Sequence, residues 1–278
     1  MSTDYRFALI GKDIGYSLSP HIFETVFAYL QVKGEFRVCS IHRPELGSCL
    51  ERLSCDGFTG AAVTVPHKES VREFLDVEVE TAKAAGAVNS IAFDNGRRIG
   101  YNTDILGFSL GLQGIGVNKI DGPVLIVGAG GAARAVIFAL NRDFGVRRFV
   151  VLGRTEAKLR TLMEHFITGS YDIDIAPITC GAELPHDIRA VVNCTPLGGP
   201  QQPEARLLPE GFEWGRVDLY YDLNYNVENR NIAAASAGGA KVLDGSRMLV
   251  GQALESLKLW TGDTVPFDTV YESVFGNR

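Results

Sequence analysis

Four short stretches of the chain carry residues whose types and spacing suit chemistry. In GYSLSP, at 15–20, Ser17 and Ser19 stand two residues apart just ahead of Pro20, before an amphipathic run. Serine suits a helix N-cap and proline the first helical position, so Ser19 and Pro20 read as a helix start. Ser17 is not needed for that start, and two hydroxyls at a helix N-terminus also make a place to hold an anion. In VTVPHK, at 63–68, and YNTD, at 101–104, Lys68 and Asp104 are polar residues that strands and turns do not require, with Asn89 shortly before the second stretch. Taken singly, a lysine fits a solvated surface, and Asp104 fits the cap of a helix beginning at Ile105.

The fourth stretch follows the apolar run PVLIV. It reads Gly128-Ala129-Gly130-Gly131-Ala132-Ala133, a G-x-G-G-x-A variant of the dinucleotide fingerprint. Gly128 permits the tight turn, Gly130 lets backbone approach a pyrophosphate, and Gly131 and Ala133 leave room near the strand. The helix N-terminus that follows stabilises the negative charge. The next strand end decides which nucleotide fits. An acidic residue there would bond the ribose hydroxyls of NAD. Gly153, Arg154, Thr155 and Lys158 stand there instead, with Glu156 between them. Two cations and a hydroxyl suit a 2′-phosphate and favour NADP over NAD, which stays possible, while Glu156 opposes the positive field.

These stretches need elements to hold them. Residues 6–10 and 36–41 read as strands, and 20–31 as a helix with Ile22, Phe23, Val26, Phe27 and Leu30 on one face. A helix is expected over 44–54, a strand over 59–65, and helices over 67–75 and 77–85. VNSIAF and RRIGYNTD read as a hairpin around Asp94-Asn95-Gly96. From residue 123 the style changes. PVLIVG, RRFVVLG, DIDIAPI, RAVVNC and VDLYYDL read as strands, with helices after the first two and at 229–239. Such alternation predicts an α/β domain with a parallel sheet and helices on both faces. The expected domains are 1–104 with 245–278, and 105–244. A helix over 105–116 bridges them, and an amphipathic helix from Met248 packs back on the first.

Bulk properties exclude several classes. The 278 residues include 46% hydrophobic ones, enough for one or two cores, and the net charge is −6. No basic run gives a nucleic-acid footprint. Five cysteines, odd in number and without a C-x-x-C, argue against a disulfide framework. The histidines at 21, 42, 67, 165 and 186 lack metal-ligand spacing, so no metal site is expected. The first residues do not read as a signal peptide and no apolar run spans a bilayer, so the expectation is a cytoplasmic protein without a membrane partner.

Together the stretches carry a family likeness. SLSP at 17–20, VTVPHK at 63–68, GAVNS at 86–90, NTDILGF at 102–108, GAGGAARA at 128–135, NCTPLG at 193–198, DLNYN at 222–226 and GSRMLVGQA at 245–253 occur in order. In these the chain resembles the shikimate dehydrogenase family. The resemblance implies two α/β domains around a cleft, the second a Rossmann-type doubly wound parallel sheet. It implies NADP-dependent reduction of 3-dehydroshikimate to shikimate, with Lys68 and Asp104 flanking the hydroxyl being oxidised. Ser17 and Ser19, helped by Tyr225, would hold the substrate carboxylate, and Thr64, Asn89 and Gln252 the ring hydroxyls. The nucleotide would be held at 128–132, at Gly153, Arg154, Thr155 and Lys158, and at Thr195. The implied partner is a small hydroxy acid and the implied assembly a monomer or homodimer.

The chain also departs from the family pattern. Ala62 stands where asparagine is usual, Phe23-Glu24 near a usual His-Asn pair, Gly153 for an asparagine, and Arg247 for a small residue. Arg247 could bring a cation to the cleft. These departures leave three other readings open: a quinate/shikimate enzyme using NAD, a paralogue acting on a related acid such as an amino-shikimate, and a ligand-binding regulator on the same fold.

Overall fold

The structure is a computed structural model describing residues 5–169, 171–225 and 229–276. The chain divides into two compact units, 1–107 with 249–278, and 108–248.

In the first unit β1 (Tyr5–Gly11), α1 (Ser19–Leu30), β2 (Gly34–Ser40), α2 (Leu46–Cys55) and β3 (Gly60–Val63) alternate. They are followed by β4 (Val77–Glu78), α3 (Glu80–Ala85), β5 (Ser90–Asp94), β6 (Arg97–Tyr101) and α4 (Asp104–Gln113). The sheet order is β2-β1-β3-β5-β6-β4. β1 runs parallel to β2 and β3, whereas β5 is antiparallel to both β3 and β6, so the sheet is mixed. Ala8, Ile10, Ala61, Val63 and Ile91 enter one buried cluster with Leu46, Leu50 and Leu53 of α2.

Two expected helices are shorter here. Over 67–75 there is only a 3₁₀ turn at Ser70–Phe74. The Lys68 carbonyl accepts the Val88 N–H at 2.7 Å, a tertiary partner in place of the helical one. Over 77–85 the first residues pair with β6 as β4, in keeping with β-branched Val77, and only Glu80–Ala85 is helical.

The second unit contains β7 (Val124–Val127), α5 (Gly131–Phe144), β8 (Arg148–Gly153), α6 (Glu156–Thr168), β9 (Asp174–Thr179) and β10 (Ala190–Asn193). It continues with β11 (Leu219–Asp222), α7 (Arg230–Ala237) and β12 (Lys241–Leu243). All its strands are parallel, in the order β12-β11-β10-β7-β8-β9. The order reverses between β7 and β10, and ligands of open parallel sheets bind at the strand ends of such a switch point. Residues 180–189 and 194–218 connect β9, β10 and β11 without an α-helix, and the short β12 adds a strand at the sheet edge. The chain leaves the first unit inside α4 and returns inside α8 (Ser246–Thr261), then ends in α9 (Phe267–Phe275), a helix the apolar spacing had not suggested. Trp260 of α8 lies against Phe7 and Phe23, with ring centroids 4.9 and 5.6 Å away.

Candidate active site and nucleotide loop

Backbone hydrogen bonds draw the polar residues of the first unit together. Val63 N–H donates to the Asn89 carbonyl at 2.8 Å, Asn89 N–H to the Tyr101 carbonyl at 3.1 Å, and Val88 N–H to Lys68. Residues distant in sequence thereby share one end of the sheet. Lys68 Nζ lies 2.5 Å from Asp104 Oδ2, with side chains only 14% and 5% exposed. Asp104 is the first residue of α4, so the cap expected ahead of Ile105 is moved one residue into the helix. A carboxylate there is also stabilised by the helix N-terminus.

Asn89 holds the other carboxylate oxygen. Its Nδ2 donates to Asp104 Oδ1 at 3.0 Å, to Thr103 Oγ1 at 2.9 Å and to Gln252 Oε1 at 3.3 Å. Its Oδ1 accepts the Thr103 N–H at 2.6 Å. Gln252 Nε2 donates to the Leu249 carbonyl. Thr64 is half-buried just past β3, its N–H donating to the Ile10 carbonyl.

The helix cap differs from its sequence reading. Leu18 occupies the N-cap position, Ser19 is the first residue of α1 and Pro20 the second. Ser17 performs the capping: its Oγ accepts the Ser19 N–H at 3.2 Å and lies 3.1 Å from Ser19 Oγ. The serine that sequence left without a structural task therefore has one, and both hydroxyls meet at the helix mouth. Tyr225 stands in the second unit, half-buried, and is not among the residues the first unit brings together.

In the second unit Gly128 follows β7 and Thr195 follows β10, on either side of the switch point. Gly128 has φ +110°, and a Cβ there would lie 3.0 Å from Thr195 Cγ2 and 3.3 Å from the Cys194 carbonyl oxygen. Gly130 is the N-cap of α5 and brings no side chain to the helix's free N–H groups. Gly128, Ala129, Gly130 and Ala132 are part-exposed, with Gly131 buried behind them. A bare, glycine-lined helix start of this kind fits a pyrophosphate. Gly128→Ala should cost about 1–3 kcal/mol through the left-handed backbone and the Thr195 contact, read by urea denaturation.

Gly153 ends β8, and Arg154, Thr155 and Lys158 are exposed beyond it. Glu156 does not sit on Arg154: its carboxylate pairs with Arg160 at 3.0 Å, one turn along α6. The positive field at the strand end is thus less opposed than the sequence suggests.

Sequence reasoning missed a hub behind Thr195. Asp222, fully buried, accepts from Asn193 Nδ2, Tyr220 Oη, Asn229 Nδ2 and both the backbone N–H and Nδ2 of Asn224, at 2.7–3.1 Å. Asn193 Oδ1 in turn accepts the Thr195 N–H and hydroxyl. Burial pushes the Asp222 carboxyl above the usual aspartate range against these hydrogen bonds. Asn193 and Asp222 open the NCTPLG and DLNYN motifs, which was the available signal; Asn226 of the latter lies outside the described residues.

The departures resolve individually. Glu24 is exposed and faces His21 at 3.4 Å, a surface pair on α1. Ala62 is buried within β3. The Arg247 guanidinium lies across Gly114, just past the last turn of α4, where a Cβ would meet it at 2.7 Å; cations suit a helix C-terminus. Both residues belong to the second unit. Among the described residues no group of three metal-ligating side chains occurs, and no helix is long and apolar enough to cross a membrane.

A parallel sheet of this order binds dinucleotides at its switch point. A buried lysine–carboxylate pair is suited to moving a proton. Together they place the chain among the nucleotide-dependent dehydrogenases. Residues 9–91 match the family model described as the shikimate dehydrogenase substrate binding domain, and 245–275 that of the shikimate 5'-dehydrogenase C-terminal domain. The chain is 36% identical over 283 residues to shikimate dehydrogenase (NADP(+)) of Chlorobaculum tepidum, covering 96% of this chain and 94% of that one. It is 36% identical over 279 residues to the same-named protein of Caldanaerobacter subterraneus subsp. tengcongensis, covering 99% and 98%. A crystal structure of shikimate 5-dehydrogenase from Thermus thermophilus in complex with NADP(H) and shikimate superposes with a TM-score of 0.83 at 31% identity, covering 97% and 98%. The chain belongs to the shikimate dehydrogenase family.

Proposed function

We propose that the protein interconverts shikimate and 3-dehydroshikimate with NADP, using Lys68 and Asp104 as the acid/base pair. The observation that carries this reading is the 2.5 Å contact between Lys68 Nζ and Asp104 Oδ2, nearly sealed from solvent. NADP, when bound, accepts the hydride of the alcohol carbon and returns it in the reverse direction. The remaining step is a proton transfer. The Lys68–Asp104 pair takes up the hydroxyl proton as the ketone forms and gives it back on reduction. Asn89 holds Asp104 Oδ1, which leaves Oδ2 for Lys68.

The anion site is Ser17 and Ser19, whose hydroxyls and helix N-terminus suit a carboxylate. Thr64, Asn89 and Gln252 serve the ring hydroxyls. The 3.3 Å Asn89–Gln252 contact is the longest of its set and the one a ligand hydroxyl can replace. Gly128 to Ala132, with Thr195, hold the pyrophosphate side of the cofactor, and Arg154, Thr155 and Lys158 its 2′-phosphate.

Shikimate carrying deuterium on the carbon oxidised should deliver it to NADP, giving deuterated reduced cofactor by mass spectrometry. Reduced cofactor without deuterium, or none, refutes the reading. Arg154→Ser should raise KM for NADP by about 10–100-fold, the value of one or two charge-assisted hydrogen bonds, and leave KM for NAD within about twofold. Steady-state kinetics with both nucleotides checks this.

A further inference from the structure

We infer that Thr103, backed by Ser256, is a positioning residue that fixes the Asn89 amide and, through it, the carboxylate of Asp104. The inference rests on the acid/base reading of Lys68 and Asp104. Thr103 holds both ends of one amide. Its backbone N–H donates to Asn89 Oδ1 at 2.6 Å, and its Oγ1 accepts from Asn89 Nδ2 at 2.9 Å. The amide cannot turn over in this grip. A flip would set the Asn89 NH₂ against the Thr103 N–H, two donors face to face. One of the two Nδ2 hydrogens is spent on Thr103. The other is left for Asp104 Oδ1 at 3.0 Å, nearer than Gln252 Oε1 at 3.3 Å.

The Thr103 hydroxyl also has a proton of its own to place. Thr103 is 2% exposed, so water does not take it. Its oxygen already accepts from Asn89, and Ser256 Oγ lies 3.1 Å away. Either hydroxyl can donate in this pair, and in both directions one Thr103 lone pair stays turned to Asn89. Ser256 is itself 1% exposed and sits one helical turn after Gln252 on α8. The hydrogen-bond path runs from Ser256 through Thr103 and Asn89 to Asp104 and Lys68. Thr103 and Ser256 are buried and act only through Asn89.

Four variants test this by steady-state kinetics: Thr103→Val, Thr103→Ser, Ser256→Ala and the Thr103→Val/Ser256→Ala double, each checked for folding by circular dichroism. Valine keeps the shape and the backbone bond but loses the hydroxyl. Thr103→Val should lower kcat about tenfold with KM for shikimate within about twofold, and Thr103→Ser should restore kcat to near wild type. Ser256→Ala should lower kcat less, and the double variant should be no slower than Thr103→Val, because both changes cut one path. Should Thr103→Val fail to fold, Ser256→Ala still decides, since alanine is well tolerated in a helix. Unchanged kcat in the folded variants, a serine variant as slow as valine, or multiplicative losses in the double would overturn the inference. Lys68→Ala, run alongside, separates the two readings. If it keeps wild-type turnover, the acid/base assignment falls and this inference with it. If it is inactive while Thr103→Val is not slowed, only this inference falls.

Discussion

Lys68→Ala should lower kcat for shikimate oxidation by about a thousandfold while moving KM by less than about threefold. A positioned acid or base contributes about 10²–10⁴ in rate. Lys68 is held for that purpose: its ammonium end meets Asp104 and its carbonyl is tied to Val88, beside Asn89. Its side chain retains 14% exposure, so its truncation opens a water-accessible gap and not a dry cavity, and the fold should survive. Substrate affinity is carried elsewhere, by the Ser17 and Ser19 hydroxyls and the ring-hydroxyl partners. Asp104→Asn should be similarly slow, and the double variant Lys68→Ala/Asp104→Asn no slower than either, because the two groups move one proton as a unit. Initial rates across a range of shikimate concentration separate kcat from KM. A Lys68→Ala enzyme with wild-type kcat would end the acid/base assignment.

The second large effect is on stability. Asp222→Ala should lower the unfolding free energy by about 4 kcal/mol in urea denaturation, because five donated hydrogen bonds lose their acceptor inside a buried site. The loss should concentrate on the loops after β10 and β11, which Asp222 joins through Asn193 and Asn224. Those loops carry Thr195, so the surviving protein should also bind NADP more weakly. The pH dependence follows from burial. The folded carboxyl titrates above the ordinary aspartate value of 3.8, so between 3.8 and the raised value the folded state holds the extra proton. Stability from this group is therefore fully present below 3.8 and falls as pH rises through the window. Asp222→Ala should remove that part of the slope. An unchanged urea midpoint would show that Asp222 is not the hub its hydrogen bonds describe.

The parts of the site that sequence reveals are those whose residues must be contiguous. The glycine loop at 128–132 has to lie between a strand and a helix, so its spacing is written locally, and the sheet order then places it at the switch point. The Lys68–Asp104 pair was legible only through the family likeness, since the two lie 36 positions apart and no period links them. Ser256 was not legible at all. Its partner Thr103 is 153 residues away, and a single serine on an amphipathic helix gives no local sign. The helix expected over 67–75 failed for a tertiary reason, the Val88 N–H claiming the Lys68 carbonyl. Glu24 and Arg247, conspicuous as departures in sequence, resolve into a surface pair and a helix-end cation.

The proposed reaction is the oxidation of shikimate with NADP. Initial rates of nicotinamide reduction, with shikimate or quinate against NADP or NAD, test it most directly. Turnover with shikimate is expected, with a kcat/KM for NADP at least about tenfold above that for NAD, as follows if Arg154 holds the 2′-phosphate. Folded protein that binds NADP yet reduces none of it with shikimate would rule out shikimate as its substrate.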